Sequence, residues 1–299
     1  MIDIRLKVFL SVARNLSFTK ASQELFISQP AISKHIKELE SEYNTCLFER
    51  MGTHIQLTKA GKILLDNAEI IIQQYKKMNF DMNNIQKKYG GSLRVGASTT
   101  IAQYVLPEML AKFMQLYPDI NINTISDNSR NIEQLLKDGR IDVGMVEGIS
   151  RQPELKYTNI MKDELVAIVR KGSEMSELDE IDLDTFKSIP IVIREHGSGS
   201  LQVIENYLHQ NNLRLSDLNI VMSFGTTEGI KHFVEHTETM GIISIMAVSH
   251  ELLENRFKII ELKGLKMMRD FAYIEKRGES IGLQKVFKHF ITNSYIFFK

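Results

Sequence analysis

The chain has 299 residues, 43% hydrophobic and 25% charged, with 37 Lys and Arg balanced by 37 Asp and Glu. That length accommodates two or three domains, and zero net charge means that any nucleic acid has to be met by a local basic patch. The single cysteine, Cys46, excludes an internal disulfide and a thiolate metal cluster, and is expected as a small buried apolar residue. Met1-Ile2-Asp3-Ile4-Arg5 carries an acid and charges recur in the next residues, unlike a signal peptide, and no apolar run approaches the roughly 18 residues of a membrane span. A cytoplasmic protein with no membrane partner is expected.

In chain order, Ile4, Leu6, Val8, Phe9, Val12 and Ala13 mark an apolar helix. Phe18, Ala21 and Leu25 share the face of a second helix capped by Ser17. A third follows after only Phe26-Ile27-Ser28, with Ile32, Ile36 and Leu39 on one face, Ser28 as N-cap and Pro30 in the first turn. So short a connection forces the helices to cross sharply, as in a helix-turn-helix. The other face of the third helix carries Gln29, Ser33, Lys34 and Lys37. Gln29 and Ser33 suit base edges, and Lys34 and Lys37 suit phosphates; the plain alternative is a solvated helix face. Leu47 to Thr58 then reads as a wing with a turn at Met51-Gly52-Thr53-His54, placing Arg50 near phosphate or the minor groove. Residues 1–62 hold nine Lys and Arg against six Asp and Glu, so the basic excess falls where double-stranded DNA is expected.

The stretches Phe9-Leu10-Ser11-Val12-Ala13, Ser17-Phe18-Thr19-Lys20-Ala21-Ser22, Ser28-Gln29-Pro30-Ala31-Ile32-Ser33, Ile36-Lys37-Glu38-Leu39-Glu40, Leu47-Phe48-Glu49-Arg50 and Leu57-Thr58-Lys59-Ala60-Gly61 occur in order. In these, residues 1–60 resemble the N-terminal domain of LysR-type transcriptional regulators. The resemblance implies a winged helix-turn-helix whose recognition helix runs from about residue 28 to 40. Its DNA-contacting set on this chain is Ser28, Gln29, Pro30, Ser33, Lys34, Lys37, Arg50 and Thr53.

Residues 61–90 read as a long linker helix. Leu64, Ala68, Ile71, Tyr75, Met78, Met82 and Ile85 are spaced alternately by four and three, a heptad seam that favours a partner helix. Dimerisation makes the DNA target an inverted repeat, and the resemblance adds association of dimers into tetramers. Gly90-Gly91 stops the helix.

Residues 91–299 alternate short apolar runs with helical patterns. Strands are expected at 93–97, 120–124, 141–146, 189–193, 220–224 and 241–246. Helices are expected at 101–117, 132–137, 201–209 and 229–236. The βαβ rhythm implies parallel sheets, and its recurrence implies two α/β lobes around a cleft: lobe I at about 91–162 plus 267–299, lobe II at about 163–266. This resembles the LysR effector domain and periplasmic solute-binding proteins. The expected fold class is therefore α/β: a winged helix-turn-helix, a dimerisation helix and a two-lobed, periplasmic-binding-protein-like effector domain.

Ligands in such sheets bind beyond the C-terminal strand ends. Three junctions qualify. Ser98, Thr99 and Thr100 follow the first strand with hydroxyls that suit an anion or cap a helix. Gly197, Ser198, Gly199 and Ser200 form a glycine-rich turn. Thr226 and Thr227 repeat the pattern. The first two junctions look most like the sulfur- and carbon-assimilation branch of the family, which implies a small anionic metabolite as effector. The family often has Thr-Arg after the second glycine, where this chain has Ser200-Leu201; Arg194 or His196 is left to supply positive charge. His232 and His236 are i, i+4 on a helix with no third metal ligand evident. No nucleophile elbow, P-loop or dinucleotide fingerprint is present. No cofactor and no enzymatic activity are expected. RNA polymerase is the expected protein partner of a DNA-bound regulator, and a solute-binding module is the alternative reading.

Overall fold

The computed structural model describes residues 3–51, 54–85, 90–278 and 280–295. Compactness divides the chain into residues 1–88 and 89–299.

The first unit contains α1 (Ile4–Asn15), α2 (Phe18–Leu25), α3 (Gln29–Glu42), β1 (Phe48–Met51), β2 (His54–Leu57) and α4 (Lys59–Ile85). Ser17 accepts from the Lys20 N–H and Ser28 from the Ala31 N–H, so both short helices begin where the caps predict. Val8, Phe9, Val12, Ala21, Ile32, Ile36 and Leu39 form the core behind the helix pair. Phe48 of β1 closes it, its ring 5.5 Å from Phe9 and 5.9 Å from Phe18. A Cβ on Gly61 would lie 2.2 Å from the Leu47 carbonyl oxygen, so only glycine lets α4 start this close to the wing. Cys46 is exposed, against expectation. It lies in the turn after α3, and its neighbour Leu47 takes the core position.

The α4 seam divides. Ala68 is fully buried in this core with Leu64 packed beside it, whereas Ile71, Met78 and Met82 are each about half exposed. The stretch expected to continue the helix to Lys88 lies outside the described residues after Ile85.

The second unit contains β3 (Gly91–Ser98), α5 (Thr99–Tyr104), α6 (Leu106–Leu116), β4 (Ile120–Asp127), α7 (Ser129–Lys137), β5 (Val143–Glu147), β6 (Leu155–Arg170), β7 (Glu180–Ile181), α8 (Leu183–Ser188), β8 (Ile191–Arg194), α9 (Gly199–Gln210), β9 (Ile220–Phe224), α10 (Thr227–Glu235), β10 (Met240–Ser244), α11 (Ile245–Leu253), β11 (Phe257–Leu262), β12 (Met267–Lys276) and α12 (Leu283–Tyr295). The main strand order is β4-β3-β5-β12-β6-β10-β8-β9. Strands β3, β4 and β5 are parallel at one end, and β8, β9 and β10 at the other. Each end buries its own core: Leu93, Val95, Phe113, Tyr273 and Phe287 in lobe I, and Val169, Phe186, Ile191, Val203 and Ile242 in lobe II.

Two findings differ from expectation. The 101–117 helix is two helices broken at Val105, because Pro107 in the first turn of α6 starts a new helix. The 16-residue β6 was not anticipated: its first ten residues include Lys156, Lys162, Asp163 and Glu164, and only Leu165 to Val169 is an apolar run. It pairs antiparallel with β12 from Met267↔Leu165 to Lys276↔Leu155. The expected lobe boundary at 162/163 thus falls inside a continuous strand, and β6 and β12 are shared by both lobes.

Candidate functional site

On α3 the apolar residues Ile32, Ile36 and Leu39 face inward. Ser28, Gln29, Pro30, Lys34 and Lys37 are exposed, and Ser33 is partly so. Lys34 approaches Glu38 at 3.9 Å with most of its side chain in solvent, so it is not held. Arg50 lies in β1 opposite Ile55; Thr53 lies outside the described residues. Phe26, in the turn before α3, has φ of 55° and is 95% exposed. The sequence reading treated it only as a connector.

In the second unit, the three junctions converge where the lobes meet. Ser98 is fully buried at the end of β3 and donates to the Glu147 carboxylate at the end of β5. Thr100 donates to the same carboxylate at 3.2 Å. Thr99 accepts from Arg194 Nη2 of lobe II at 3.2 Å. Arg194 is 1% exposed. It also pairs with Glu195 at 2.8 Å and donates to the Gly225 carbonyl and to Thr227. The positive charge left open between Arg194 and His196 therefore sits on buried Arg194, while His196 is exposed.

Ser200 accepts from Arg269 Nη1 at 2.9 Å. Arg269 in turn pairs with Asp163 at 2.6 Å and lies 3.9 Å from Glu147. Asp163 accepts from Ser244 at 2.7 Å. Ser198 and Thr226 are caps: their oxygens accept from the Leu201 and Gly229 N–H groups. Gly197 has φ of +93° at the turn, and a Cβ on Gly199 would lie 2.1 Å from the Glu147 carbonyl oxygen. Those glycines thus bring α9 of lobe II against β5 of lobe I.

A second polar bridge joins the lobes. Tyr104 of α5 donates to Glu228 of α10, which pairs with Lys231 at 2.7 Å. Burial raises the Tyr104 hydroxyl well above its usual range, aided by Glu228. Burial opposes ionisation of Glu228, but hydrogen bonds from Lys231 and Tyr104 outweigh it and hold its carboxyl below the ordinary value.

Sequence reasoning found the hydroxyl and glycine junctions but missed Glu147, Asp163 and Arg269. Glu147 directly follows a predicted strand, so a signal existed in its position; Asp163 and Arg269 lie in the polar parts of strands that were not anticipated. His232 on α10 and His236 just after its end are both exposed, and no group of three potential metal ligands occurs among the described residues. Among those residues no helix is long and apolar enough to cross a membrane.

The family description "Bacterial regulatory helix-turn-helix protein, lysR family" matches residues 4–62, and "LysR substrate binding domain" matches residues 86–292. HTH-type transcriptional regulator CysL of Bacillus subtilis is 29% identical over 269 residues, covering 90% of this chain and 89% of its own. Full-length CbnR, solved with its target DNA, shares the fold with a TM-score of 0.62 at 18% identity, covering 98% of this chain and all of its own. The regulatory domain of Synechocystis CcmR, solved with 2-PG, has a TM-score of 0.63 at 20% identity, covering 70% of this chain and 99% of its own. A winged helix-turn-helix, a long helix and a two-lobed α/β unit, matched over nearly their whole length, place this chain in the LysR family of transcriptional regulators.

Proposed function

We propose that the protein binds an inverted-repeat operator as a homodimer or tetramer and responds to a small anionic metabolite between the lobes of its C-terminal unit. The observation that carries the DNA reading is α3: its apolar face is locked in the core while Gln29 and Lys34 in its N-terminal half, and Lys37 just beyond it, stand in solvent. Gln29 and Ser33 read base edges; Ser28, Pro30, Lys34, Lys37, Arg50 and Thr53 position the helix on the backbone. CbnR, which shares the fold and is solved with its target DNA, supports DNA as the partner.

The CcmR regulatory domain, solved in complex with 2-PG, supports a small-molecule ligand for the C-terminal unit. Ser98, Thr99, Thr100, Ser200 and Thr227 supply its hydroxyls, and Gly197, Ser198, Gly199 and Thr226 shape the turns that hold them. A ligand that binds one lobe arrangement better than another shifts the population. That shift alters the arrangement of subunits on DNA and contact with RNA polymerase, in the cytoplasm.

The test is a gel shift with operator and scrambled duplexes. Replacing Ser33 with Trp should abolish the operator band while leaving thermal unfolding of the protein intact. Unchanged operator binding would remove α3 from the DNA interface.

A further inference from the structure

An anion entering this cleft meets a site that already carries negative charge. Arg194 and Arg269 supply two positive charges; Glu147, Asp163 and Glu195 supply three negative ones. All but Glu195 are at most 4% exposed. An anion added to this set, with nothing leaving, would be an uncompensated buried charge.

Glu147 is the group able to leave. Its backbone is fixed: its carbonyl accepts from Ser129 at 2.8 Å, and it is paired with Phe271 of β12. Its carboxylate is held by side chains, the Ser98 and Thr100 hydroxyls, with Arg269 Nη1 at 3.9 Å. On the same guanidinium, whose Nη1 is the nitrogen recorded near Glu147, Nη2 is buried and has no hydrogen-bond partner among the described residues. A guanidinium with a spare buried N–H next to a carboxylate is a site for one further oxygen.

We propose that Glu147 is a resident stand-in for the effector's head group, and that the effector is a small carboxylate. Its head takes the Ser98 and Thr100 hydroxyls beside the Arg269 guanidinium, and the Glu147 side chain is expelled. One carboxylate replaces another, so the charge of the buried set is unchanged. The exchange is also felt in lobe II. A Cβ on Gly199 would lie 2.7 Å from Glu147 Cγ, so the first turn of α9 rests on the side chain that moves. This inference rests on the cleft reading above and specifies the ligand class and what it displaces.

The experiment is thermal unfolding of the full chain against acetate, with chloride at equal ionic strength as control. Glu147→Ala leaves the cradle empty, so acetate should raise its Tm saturably, with a midpoint at least tenfold lower than in the wild type. Adding Ser98→Ala and Thr100→Ala to that variant should erase the effect. Glu147→Gln keeps the shape and removes the charge, and serves if the alanine variant does not fold; it too should bind acetate more tightly than the wild type. Equal acetate response in wild type and both variants overturns the proposal. A metabolite that stabilises the wild type while Glu147→Ala gains no acetate site leaves the effector reading standing and removes the stand-in. An acetate site in Glu147→Ala with a wild type that answers to no carboxylate metabolite keeps the cradle and removes its role as sensor.

Discussion

Arg269 and Asp163 face each other at 2.6 Å with neither side chain exposed to solvent. A buried pair of this kind adds little over a well-packed apolar pair, but removing one member strands the other. Asp163→Ala is therefore expected to cost about 3–5 kcal/mol, read as a lower urea midpoint at unchanged slope. A loss under about 1 kcal/mol would mean that Glu147 and Ser200 alone satisfy Arg269. Where the family resemblance leads to an arginine after Ser200, this chain has Leu201. Leu201 at that position is buried in the lobe II core, and the guanidiniums come instead from the end of β8 and from β12. Arg194 lies three residues before Gly197 and was within reach of the sequence reading, whereas Arg269 on β12 lies far along the chain from the junction it meets and was not.

At the scale of elements, α5 and α10 meet through Tyr104, Glu228 and Lys231, with Lys231 Nζ 5.4 Å from the Tyr104 ring centroid. A carboxyl whose folded pKa is depressed contributes stability above its unfolded value, and loses it as pH falls through the folded value. Glu228 is such a group. Glu228→Gln should lower Tm at neutral pH and shallow the decline of Tm as pH falls below its unfolded value of 4.5; parallel Tm curves for variant and wild type would remove this contact from the acid limb.

Element by element, the sequence showed most where one local pattern decides the outcome. Ser17 and Ser28 cap, Pro30 starts a helix, and strands β3, β5 and β8 are apolar runs that end at the site. It showed least where pairing decides. Strands β6 and β12 alternate poorly because their long antiparallel ladder crosses both lobes, and buried charges such as Asp163 and Arg269 are tolerated only because they find each other there. The same limit applies to Pro107: it lies inside the helix expected at 101–117, and it is in fact in the first turn of a new helix.

For the molecule as a whole, α4 carries an apolar stripe that its own unit leaves uncovered. Leu64 and Ala68 are spent on the winged core, so Ile71, Met78 and Met82 are what remains for a second copy. Met78→Glu with Met82→Glu should shift the protein to monomer in sedimentation and weaken operator binding far more than binding to a single half-site. A dimer that survives both charges would move the interface elsewhere.

The shared strands also fix an order of assembly on the ribosome. Residues 1–88 hold a core of their own, so the DNA-binding unit can fold while the rest is still being made. Lobe I is different: β5 has β12 as its neighbour on one side, and Phe113 packs against Phe287 and Phe290 of α12, at ring distances of 5.1 and 5.2 Å. Lobe I begins at residue 91 yet cannot complete its sheet or its core until the last thirty or so residues of the chain have emerged. Throughout that interval β5 presents an unpaired edge. A nascent chain thus acquires its means of gripping DNA before its means of sensing, and a chain cut short before β12 would keep the first without the second.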